Sequence, residues 1–359
     1  MHLRRPISRI LVLVALVASG CGSPRGKDAE GAGADDRAIT ATRSEAPTIV
    51  RLGYFPNLTH ASAIVGVEKR IFQDKLGDNK LKVSTFNAGP AAVEALFSDA
   101  LDAAYIGPNP AINAFVKSDG DAIRIISGAT SGGAFLIVKP DITDAADLKG
   151  KKIASPQLGG TQDVALRYWL KDHGIDTNPE GGGDASIIPQ ENAQTLEAFK
   201  RGDIAGAWVP EPWATRLVRE GDGKSLVDEA SLWPEGKFVT THLIVRTKFL
   251  KEHPWAVRKL LEGQVAANDF IAAHETQAQT LVNDGIEKVT SKRLAEDVIT
   301  GAWKHLRFTN DPIASSLATS AKHAEVVGLL AKVDLKGIYD LDLLNQVLKA
   351  AGEDAVKDT

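Results

Sequence analysis

The sequence predicts an α/β fold, and three observations support this prediction. Short strand-like stretches alternate with longer stretches of helical spacing from Thr48 to about Trp213. The turns between them are short and rich in Gly, Pro and polar residues, as is typical of parallel α/β sheets. A chain of 359 residues is also long enough for two domains that each bury a core.

The first part of the folded region repeats a strand–turn–helix unit. We predict strands over 48–54, 80–86 and 102–106, and helices over 61–69, 91–98 and 111–117. The turns after the strands are polar or rich in Gly and Pro, at 54–60, 88–90 and 107–109. Ligands collect at the carboxyl ends of parallel strands, so these turns are expected to form one site.

The stretch from Asp102 to Asn113 is the centre of the predicted site. Gly107-Pro-Asn-Pro110 ends its strand, because Pro cannot donate a ladder hydrogen bond and Gly permits φ values closed to other residues. A helix follows with Pro110 near its first turn. Free N–H groups and the positive end of the helix dipole would favour an anionic or strongly polar ligand there. An ordinary β–α turn explains the same residues equally well.

The second part of the chain continues the alternation and then becomes helical. We predict strands over 123–126, 134–138, 153–155, 185–188, 204–208 and 238–245. Helices are predicted over 163–173, 193–201, 255–270, 277–283, 291–305, 314–330 and 341–350. Thr161 is the expected N-cap of the helix that follows it. The C-terminal helices are expected to pack on the first α/β unit.

Seven small residues separate two of these strands, from Ser127 to Gly133. Such a run lets a ligand or a second domain approach the backbone closely. A flexible surface loop has the same composition, and the sequence leaves both alternatives open.

The N-terminus has the features of a secretory signal. Three arginines precede an apolar run at 10–18, which is too short for a permanent membrane span, and a small-residue site ends the signal at Gly20. Cys21 is the only cysteine, so the chain has no intrachain disulfide. Its position resembles a bacterial lipobox, in which the thiol is acylated, although Ala18 departs from the usual Leu. The alternative is a plain signal peptide with an incidental cysteine.

The segment at 21–47 is expected to be a flexible tether that follows the lipidated residue. Gly, Ala, Ser, Asp and Arg dominate it, and Ile39 is its only large apolar residue. Removal of the signal arginines would change the formal charge from −4 to −7. This acidic balance argues against nucleic-acid binding. The sequence also lacks zinc-type cysteine spacing and the glycine fingerprints of nucleotide-binding folds.

Several stretches of the sequence, taken together in their order along the chain, resemble those of the type II periplasmic binding proteins of ABC importers. Within that superfamily the chain is most similar to the sulfonate/nitrate/taurine-binding group, which also includes binders of thiamine-type pyrimidine precursors. The stretches that carry the resemblance are Arg51-Leu-Gly-Tyr-Phe-Pro56, Phe86-Asn-Ala-Gly-Pro90, Glu94-Ala-Leu96, Leu101-Asp-Ala-Ala-Tyr-Ile-Gly107, Asp147-Leu-Lys-Gly-Lys-Lys-Ile153 and Trp208-Val-Pro-Glu-Pro-Trp213.

The resemblance implies two α/β lobes that close on one small molecule. Each lobe would hold a mainly parallel sheet flanked by helices, with residues 48–135 and 243–351 in lobe one and 136–242 in lobe two. The matching ligand contacts are Tyr54, Asn57, Gly89, Asn109, Ser131 and Gly132 on one side, and Gln157, Thr161, Gln162, Asn192, Trp208 and Glu211 on the other. Further candidate contacts are His60, Thr241 and His242.

The candidate ligand-facing stretches contain no Lys or Arg: 54–60, 86–91, 102–113, 128–137, 155–163, 188–192, 208–213 and 239–243. A sulfonate would therefore be held by amides, hydroxyls and helix dipoles instead of bidentate charged pairs. Glu211 could meet a cationic group such as the ammonium of taurine, or could simply complement a helix dipole. Trp208 and Trp213 could stack on the ligand, or one of them could be core.

An enzyme is the rival class of function. His242 with Glu211 could act as a base and its orienting carboxylate. However, no serine has a nucleophile-elbow pattern, and the sole cysteine is at the expected anchor. Relatives of this fold in pyrimidine synthesis use a cysteine cluster that is absent here. His60 and His242 are more readily interpreted as structural or ligand-contacting residues.

The sequence therefore predicts a membrane-anchored extracytoplasmic solute-binding lipoprotein. It would capture a small organic anion, an alkanesulfonate first of all, and deliver it to the permease and ATPase of an ABC importer. Taurine, nitrate and a pyrimidine precursor are alternative ligands. We expect a monomer with no cofactor, no metal and no catalytic residue.

Overall fold

The computed structural model describes residues 47–358. Eleven strands in this part of the chain form two sheets: β1 Ile49–Tyr54, β2 Lys80–Thr85, β3 Ala103–Ile106, β4 Ile123–Gly132, β5 Ala134–Val138, β6 Lys152–Ser155, β7 Ser186–Pro189, β8 Gly206–Pro210, β9 Lys224–Asp228, β10 Val239–Arg246 and β11 Leu306–Phe308. The first sheet has the order β11-β4-β10-β3-β1-β2, and the second has the order β7-β6-β8-β5-β9. Each sheet with its helices is called a lobe below.

Thirteen α-helices of the described residues flank the sheets: α1 Ala61–Glu68, α2 Ile71–Leu76, α3 Gly89–Phe97, α4 Pro108–Lys117, α5 Thr161–Asp172, α6 Asn192–Arg201, α7 Trp213–Gly221, α8 Thr247–Glu252, α9 Pro254–Ala273, α10 Glu275–Thr290, α11 Glu296–Trp303, α12 Ala314–Val326 and α13 Asp342–Ala351. The predicted α/β fold class with two helix-flanked sheets is confirmed.

Strand direction is mixed in both sheets, which corrects the expectation of mainly parallel sheets. Parallel pairs join β1 to β2 and to β3, and join β6 to β7 and to β8. The strands near the lobe crossings, β4, β5 and β10, make antiparallel pairs with their neighbours. The strand–helix–strand pattern indicates only the parallel units, because antiparallel strands can be joined by short turns without a crossover helix.

The chain passes from the first sheet to the second at Gly133, between β4 and β5, and returns between β9 and β10. Gly132 and Gly133 have φ values of +81° and +73°. A Cβ on Gly132 would lie 2.5 Å from the carbonyl oxygen of His305, so both backbone conformation and space require glycine at that position. The predicted lobe limits at 135/136 and 242/243 stay a prediction.

The small residues between Ser127 and Gly133 do not form a flexible surface loop, which was one of the two alternatives. They continue β4 as far as Gly132, paired with β10 on one side and β11 on the other. A Cβ on Gly128 would lie 2.1 Å from the carbonyl oxygen of Asp311, so this part of the strand lies tightly against a neighbouring segment. The backbone is therefore approached closely, but by another segment of the chain; approach by a ligand stays a prediction.

The C-terminal helices pack on the first sheet, as the sequence predicts. One apolar core joins residues of β1, β3 and β10 to residues of α9, α10, α11 and α13. A second core, on α3, α4 and α12, covers other residues of the same sheet. The second sheet has its own two cores, one with α5 and one with α6 and α7.

The predicted signal at 1–20, the lipidation at Cys21 and nearly all of the tether at 21–47 lie outside the described residues. None of the helices between residues 47 and 358 has the length and apolar character that a membrane crossing requires.

Candidate functional site

A small cavity lies between the two lobes, where the carboxyl ends of their parallel strands face each other. We call it the inner cavity; its volume is about 40 Å³. Residues from both lobes and from the crossing strand β10 line it: Phe55, Asn57, Thr59, His60, Asn87, Ala88, Gly89, Gly107, Pro110, Pro156, Gly160, Thr161, Gln162, Asn192, Pro210, Thr240 and Thr241. This is the edge at which the sequence predicts a site.

Helix N-termini from both lobes meet at the inner cavity. Gly89 begins α3 in the first lobe, while Thr161 and Asn192 begin α5 and α6 in the second. The first N–H groups of a helix have no partner inside the helix, and the dipole is positive at this end. Several such ends around one small space favour a negatively charged ligand.

Three buried oxygen atoms at the inner cavity have no hydrogen-bond partner. They are Oγ1 of Thr161, Oδ1 of Asn192 and Oγ1 of Thr241. A buried polar group without a partner costs about 1–3 kcal/mol. Three such groups surround one space. A polar ligand in that space would supply their missing hydrogen-bond partners and so remove this free-energy cost.

The inner cavity has no charged wall. Among the described residues that line it, none is Asp, Glu, Lys or Arg. Burial lowers the pKa of His60 to about 3, so this ring is neutral at ordinary pH. The backbone N–H of Phe55 points to Nδ1 of His60 at 3.3 Å, so Nδ1 accepts and Nε2 carries the proton. His60 therefore offers an N–H donor that does not titrate near neutral pH.

A wider cleft of about 940 Å³, here called the outer cleft, adjoins the inner cavity. The two spaces share Asn57, Asn87 and Asn192. The outer cleft extends between α6, α7 and the end of α10, and its charged residues are Glu191, Glu197, Arg201, Arg216, Glu220, Lys292 and Arg293. The outer cleft is larger, but the unpartnered atoms identify the inner cavity as the part built for a polar group.

Seven of the predicted ligand contacts line the inner cavity: Asn57, His60, Gly89, Thr161, Gln162, Asn192 and Thr241. Gln157 lines a neighbouring recess that shares Asn87, Ala88 and Pro156 with the inner cavity. Their contact with a ligand stays a prediction. Thr161 is the first residue of α5, and Gly160 is its N-cap, which corrects the expected capping role. The Thr161 hydroxyl is therefore not used by its own helix.

Other predicted contacts lie in the first lobe, outside the lining of the inner cavity. Tyr54 is part of the apolar core, and burial raises the pKa of its hydroxyl to about 12. Asn109 donates from Nδ2 to the carbonyl oxygen of Ser320 at 3.1 Å. Ser131 and Gly132 belong to β4, where they pair with β11. His242 is fully buried and donates from Nε2 to the carbonyl oxygen of Pro312 at 3.0 Å.

Trp208 and Glu211 also lie outside that lining. Trp208 is fully buried in the second lobe, and its Nε1 donates to Oε2 of Glu229 at 2.7 Å. Glu211 accepts the backbone N–H and the hydroxyl of Thr215 at 3.0 and 2.9 Å. It therefore supports the start of α7, as in the alternative reading, but it is buried and not solvated. The imagined pair of His242 and Glu211 is engaged in these separate structural contacts.

The lining residues that were not among the predicted contacts include Thr59, Asn87, Gly107 and Thr240. These four residues lie within the predicted ligand-facing stretches, but the ligand contacts predicted from the sequence are other residues of those stretches. Asn87 also links the lobes, since its Nδ2 donates to Oε1 of Glu191 at 2.5 Å. A contact between residues 104 positions apart has no signal in a single sequence.

Replacement of Glu211 by glutamine should leave anion affinity unchanged and alter the pH dependence of stability. Burial raises the pKa of Glu211 to about 7, so the folded protein holds a proton that the unfolded chain releases from about pH 4.5 upward. Stability contributed by this group therefore falls as pH rises from about 4.5 to about 7. The variant should lack the part of the fall that Glu211 contributes and be more stable at pH 8, by at most roughly 3 kcal/mol. Burial also raises the pKa of Glu229 to about 7, so a similar fall from that group should remain in both proteins.

Urea unfolding of both proteins at pH 5 and pH 8 measures this effect. Glu252→Gln, at an exposed position, is the control and should not change the pH dependence. A large loss of anion affinity in Glu211→Gln would contradict the placement of this side chain away from the ligand.

Two lobes joined by crossing strands, with a polar cavity between them, define the periplasmic binding protein class. The chain belongs to the NMT1-like family, whose model matches residues 43–282. The predicted resemblance to the sulfonate/nitrate/taurine-binding group is confirmed by the relatives that follow.

The chain is 25% identical over 349 residues to a provisionally named aliphatic sulfonates-binding protein of Bacillus subtilis (strain 168); the match covers 95% of this chain and 96% of that protein. It is 29% identical over 182 residues to the taurine-binding periplasmic protein of Escherichia coli (strain K12), covering 51% and 54%. The solved periplasmic nitrate-binding protein of Synechocystis PCC 6803 has a TM-score of 0.69 at 19% identity, covering 85% and 89%. This structural likeness supports the fold alone.

Proposed function

We propose that this protein is the solute-binding component of an ABC importer and that it captures a small oxyanion, an alkanesulfonate first of all. The observation that carries the proposal is the inner cavity, which has helix N-termini, the unpartnered hydroxyl donors of Thr161 and Thr241, and no charged side chain. The sulfonate- and taurine-binding relatives give the same class of ligand. No part of this role requires catalysis, and we propose that the protein is not an enzyme.

The dimensions of the two spaces favour a ligand with a compact charged head. One water molecule needs roughly 10–15 Å³ of cavity space, so about 40 Å³ holds three or four non-hydrogen atoms. A sulfonate group has that size. The organic part of the ligand would pass between Asn57, Asn87 and Asn192, the residues that the two spaces share, and lie in the outer cleft. An alkanesulfonate thereby uses both spaces.

A compact inorganic oxyanion such as nitrate is the second candidate, because the inner cavity alone would accommodate it. Taurine would place its ammonium in the outer cleft, where Glu191, Glu197 and Glu220 lie, and not at Glu211, which was one of the two alternatives for that side chain. A pyrimidine ring is too large for the inner cavity unless the lobes separate further.

The finer statements about cellular location belong to the same proposal. The binding-protein relatives of importers support an extracytoplasmic protein that passes its ligand to a permease and ATPase complex. We propose that acylated Cys21 holds it as a monomeric lipoprotein on the outer face of the cytoplasmic membrane. Retention of a Cys21→Ser variant in the membrane fraction would contradict the anchor.

Titration calorimetry with methanesulfonate, a longer alkanesulfonate, taurine and nitrate tests the proposed function. Binding should change by less than about threefold between roughly pH 6 and 9 and in moderate salt, because the fixed amides and neutral His60 do not titrate and the site is shielded. At 100 times its dissociation constant, the true ligand should stabilise the protein by about 2.7 kcal/mol. Failure of every anion to bind, or affinity that falls steeply with salt, would contradict the proposal.

A further inference from the structure

Trp213 of the second lobe contacts a predicted ligand residue of the first lobe. Its Nε1 donates to Oδ1 of Asn57 at 2.9 Å, and Asn57 lines the inner cavity. An indole N–H can only donate, so the Asn57 atom that faces Trp213 must be the carbonyl oxygen. The other end of the amide is then the NH₂ group, which carries two donors.

The bond to Trp213 occupies the side-chain oxygen that an asparagine at a helix N-cap usually uses to cap the helix. Asn57 is the N-cap of the short 3₁₀ helix Leu58–His60, which leads directly into α1. An N-cap asparagine commonly accepts an N–H of the first turn with its side-chain oxygen. Asn57 makes no such side-chain bond here, because its oxygen is bound to Trp213. The N–H groups of that turn are thus not covered by the Asn57 side chain.

We infer that Trp213 is a positioning residue that holds Asn57 with its NH₂ group toward the bound anion. This inference rests on the proposed function and deepens it. When the lobes separate, Trp213 leaves Asn57, and the free oxygen is then able to cap the turn beside the cavity. An acceptor oxygen in that place opposes an anion. Closure of the second lobe therefore completes the donor set of the first lobe.

Other contacts are consistent with a link that forms on closure. The backbone N–H of Leu58 donates to the carbonyl oxygen of Glu211 at 3.2 Å, two residues before Trp213. Arg216, which is in the second lobe with Trp213, lies over the Trp213 ring at 4.7 Å from its centroid and fixes the position of the ring. In the first lobe, the backbone N–H of Asn57 donates to the carbonyl oxygen of Phe55 at 2.8 Å, so the donor and the acceptor of the central bond are each held by their own lobe.

A double-mutant cycle tests the inference with methanesulfonate and nitrate as probes. Trp213→Phe keeps an aromatic ring and removes the N–H, and it should weaken binding about tenfold, mainly through faster dissociation. In an Asn57→Ala background the same change should have almost no effect, because the group on which Trp213 acts is gone. Asn57→Asp, which places acceptor oxygens at both ends, should bind anions more weakly than Asn57→Ala.

Trp255→Phe is the matched control, because Trp255 is also half-buried with a cationic side chain, Lys259, over its ring. It should leave anion affinity unchanged. The ligand-free melting temperature of Trp213→Phe should also stay near that of the wild type. An equal cost of Trp213→Phe with and without Asn57 would overturn the inference and leave the proposed function standing. A wild-type protein that binds neither probe would overturn both.

Discussion

Replacement of Asp102 by alanine should destabilise the protein by about 3–5 kcal/mol, the usual cost of removing one partner from a buried ion pair. Asp102 has no exposed surface. Its carboxylate accepts the backbone N–H, Nε and Nη2 of Arg51 at 2.9, 2.8 and 2.6 Å, and Nη2 of Arg246 at 2.7 Å. These bonds join β1, the start of β3 and the end of crossing strand β10, so their loss affects three neighbouring strands.

The pH dependence follows from the same contacts. Burial alone would raise the pKa of Asp102, but the hydrogen bonds from Arg51 and Arg246 outweigh it and lower the pKa. A carboxylate with a lowered pKa contributes stability that is present above its unfolded pKa of about 3.9 and is lost as pH falls through the folded pKa. The Asp102→Ala variant should therefore lose less stability than the wild type on acidification below about pH 4.

Urea unfolding at pH 7 measures the effect. Asp99→Asn is the control: Asp99 also pairs with Arg246, but its side chain is 68% exposed, and asparagine tolerates the positive φ of this position. Exposed pairs contribute at most about 1 kcal/mol, so this variant should change stability little. A similar loss in the free energy of unfolding for Asp102→Ala and Asp99→Asn would show that burial does not determine how much Asp102 contributes to stability.

The sequence identified the local units of the fold because their signals are local. The stretch from Asp102 to Asn113 forms β3, a sharp turn and α4, as predicted. Its expected role as an anion site is weaker in the structure, because Pro108 and Pro110 remove two N–H groups from the first turn of α4. The helix starts at Gly89, Thr161 and Asn192 retain more donors.

The failures in choosing side chains have a common cause. Trp208 and Glu211 follow each other closely at the end of β8, yet both are directed to structural partners, Glu229 and Thr215. Whether a residue at the end of a strand faces the cleft depends on contacts with distant parts of the chain. The link between Asn57 and Trp213 spans 156 positions, and one sequence contains no signal for it.

Replacement of Gly107 by alanine should weaken anion binding by about 10- to 100-fold, in line with an overpacking cost of roughly 1–3 kcal/mol. Gly107 is in the first lobe, and a Cβ on it would lie 2.2 Å from Oγ1 of Thr161, at the start of α5 in the second lobe. The φ of Gly107 is −72°, so alanine fits the backbone. The conflict is therefore between the lobes, and the ligand-free, separated state should not be affected.

Calorimetry with methanesulfonate on single and double variants isolates this conflict. Thr161→Ala removes the oxygen that the new methyl group would meet, so Gly107→Ala should cost much less in that background. Gly301→Ala is the matched control, because its Cβ would face Thr215 of the other lobe at an ordinary 3.5 Å. That variant should bind like the wild type. If Gly107→Ala also bound normally, full closure at the Gly107–Thr161 contact would not be part of ligand capture, and the inner cavity would lose its proposed role as the anion site.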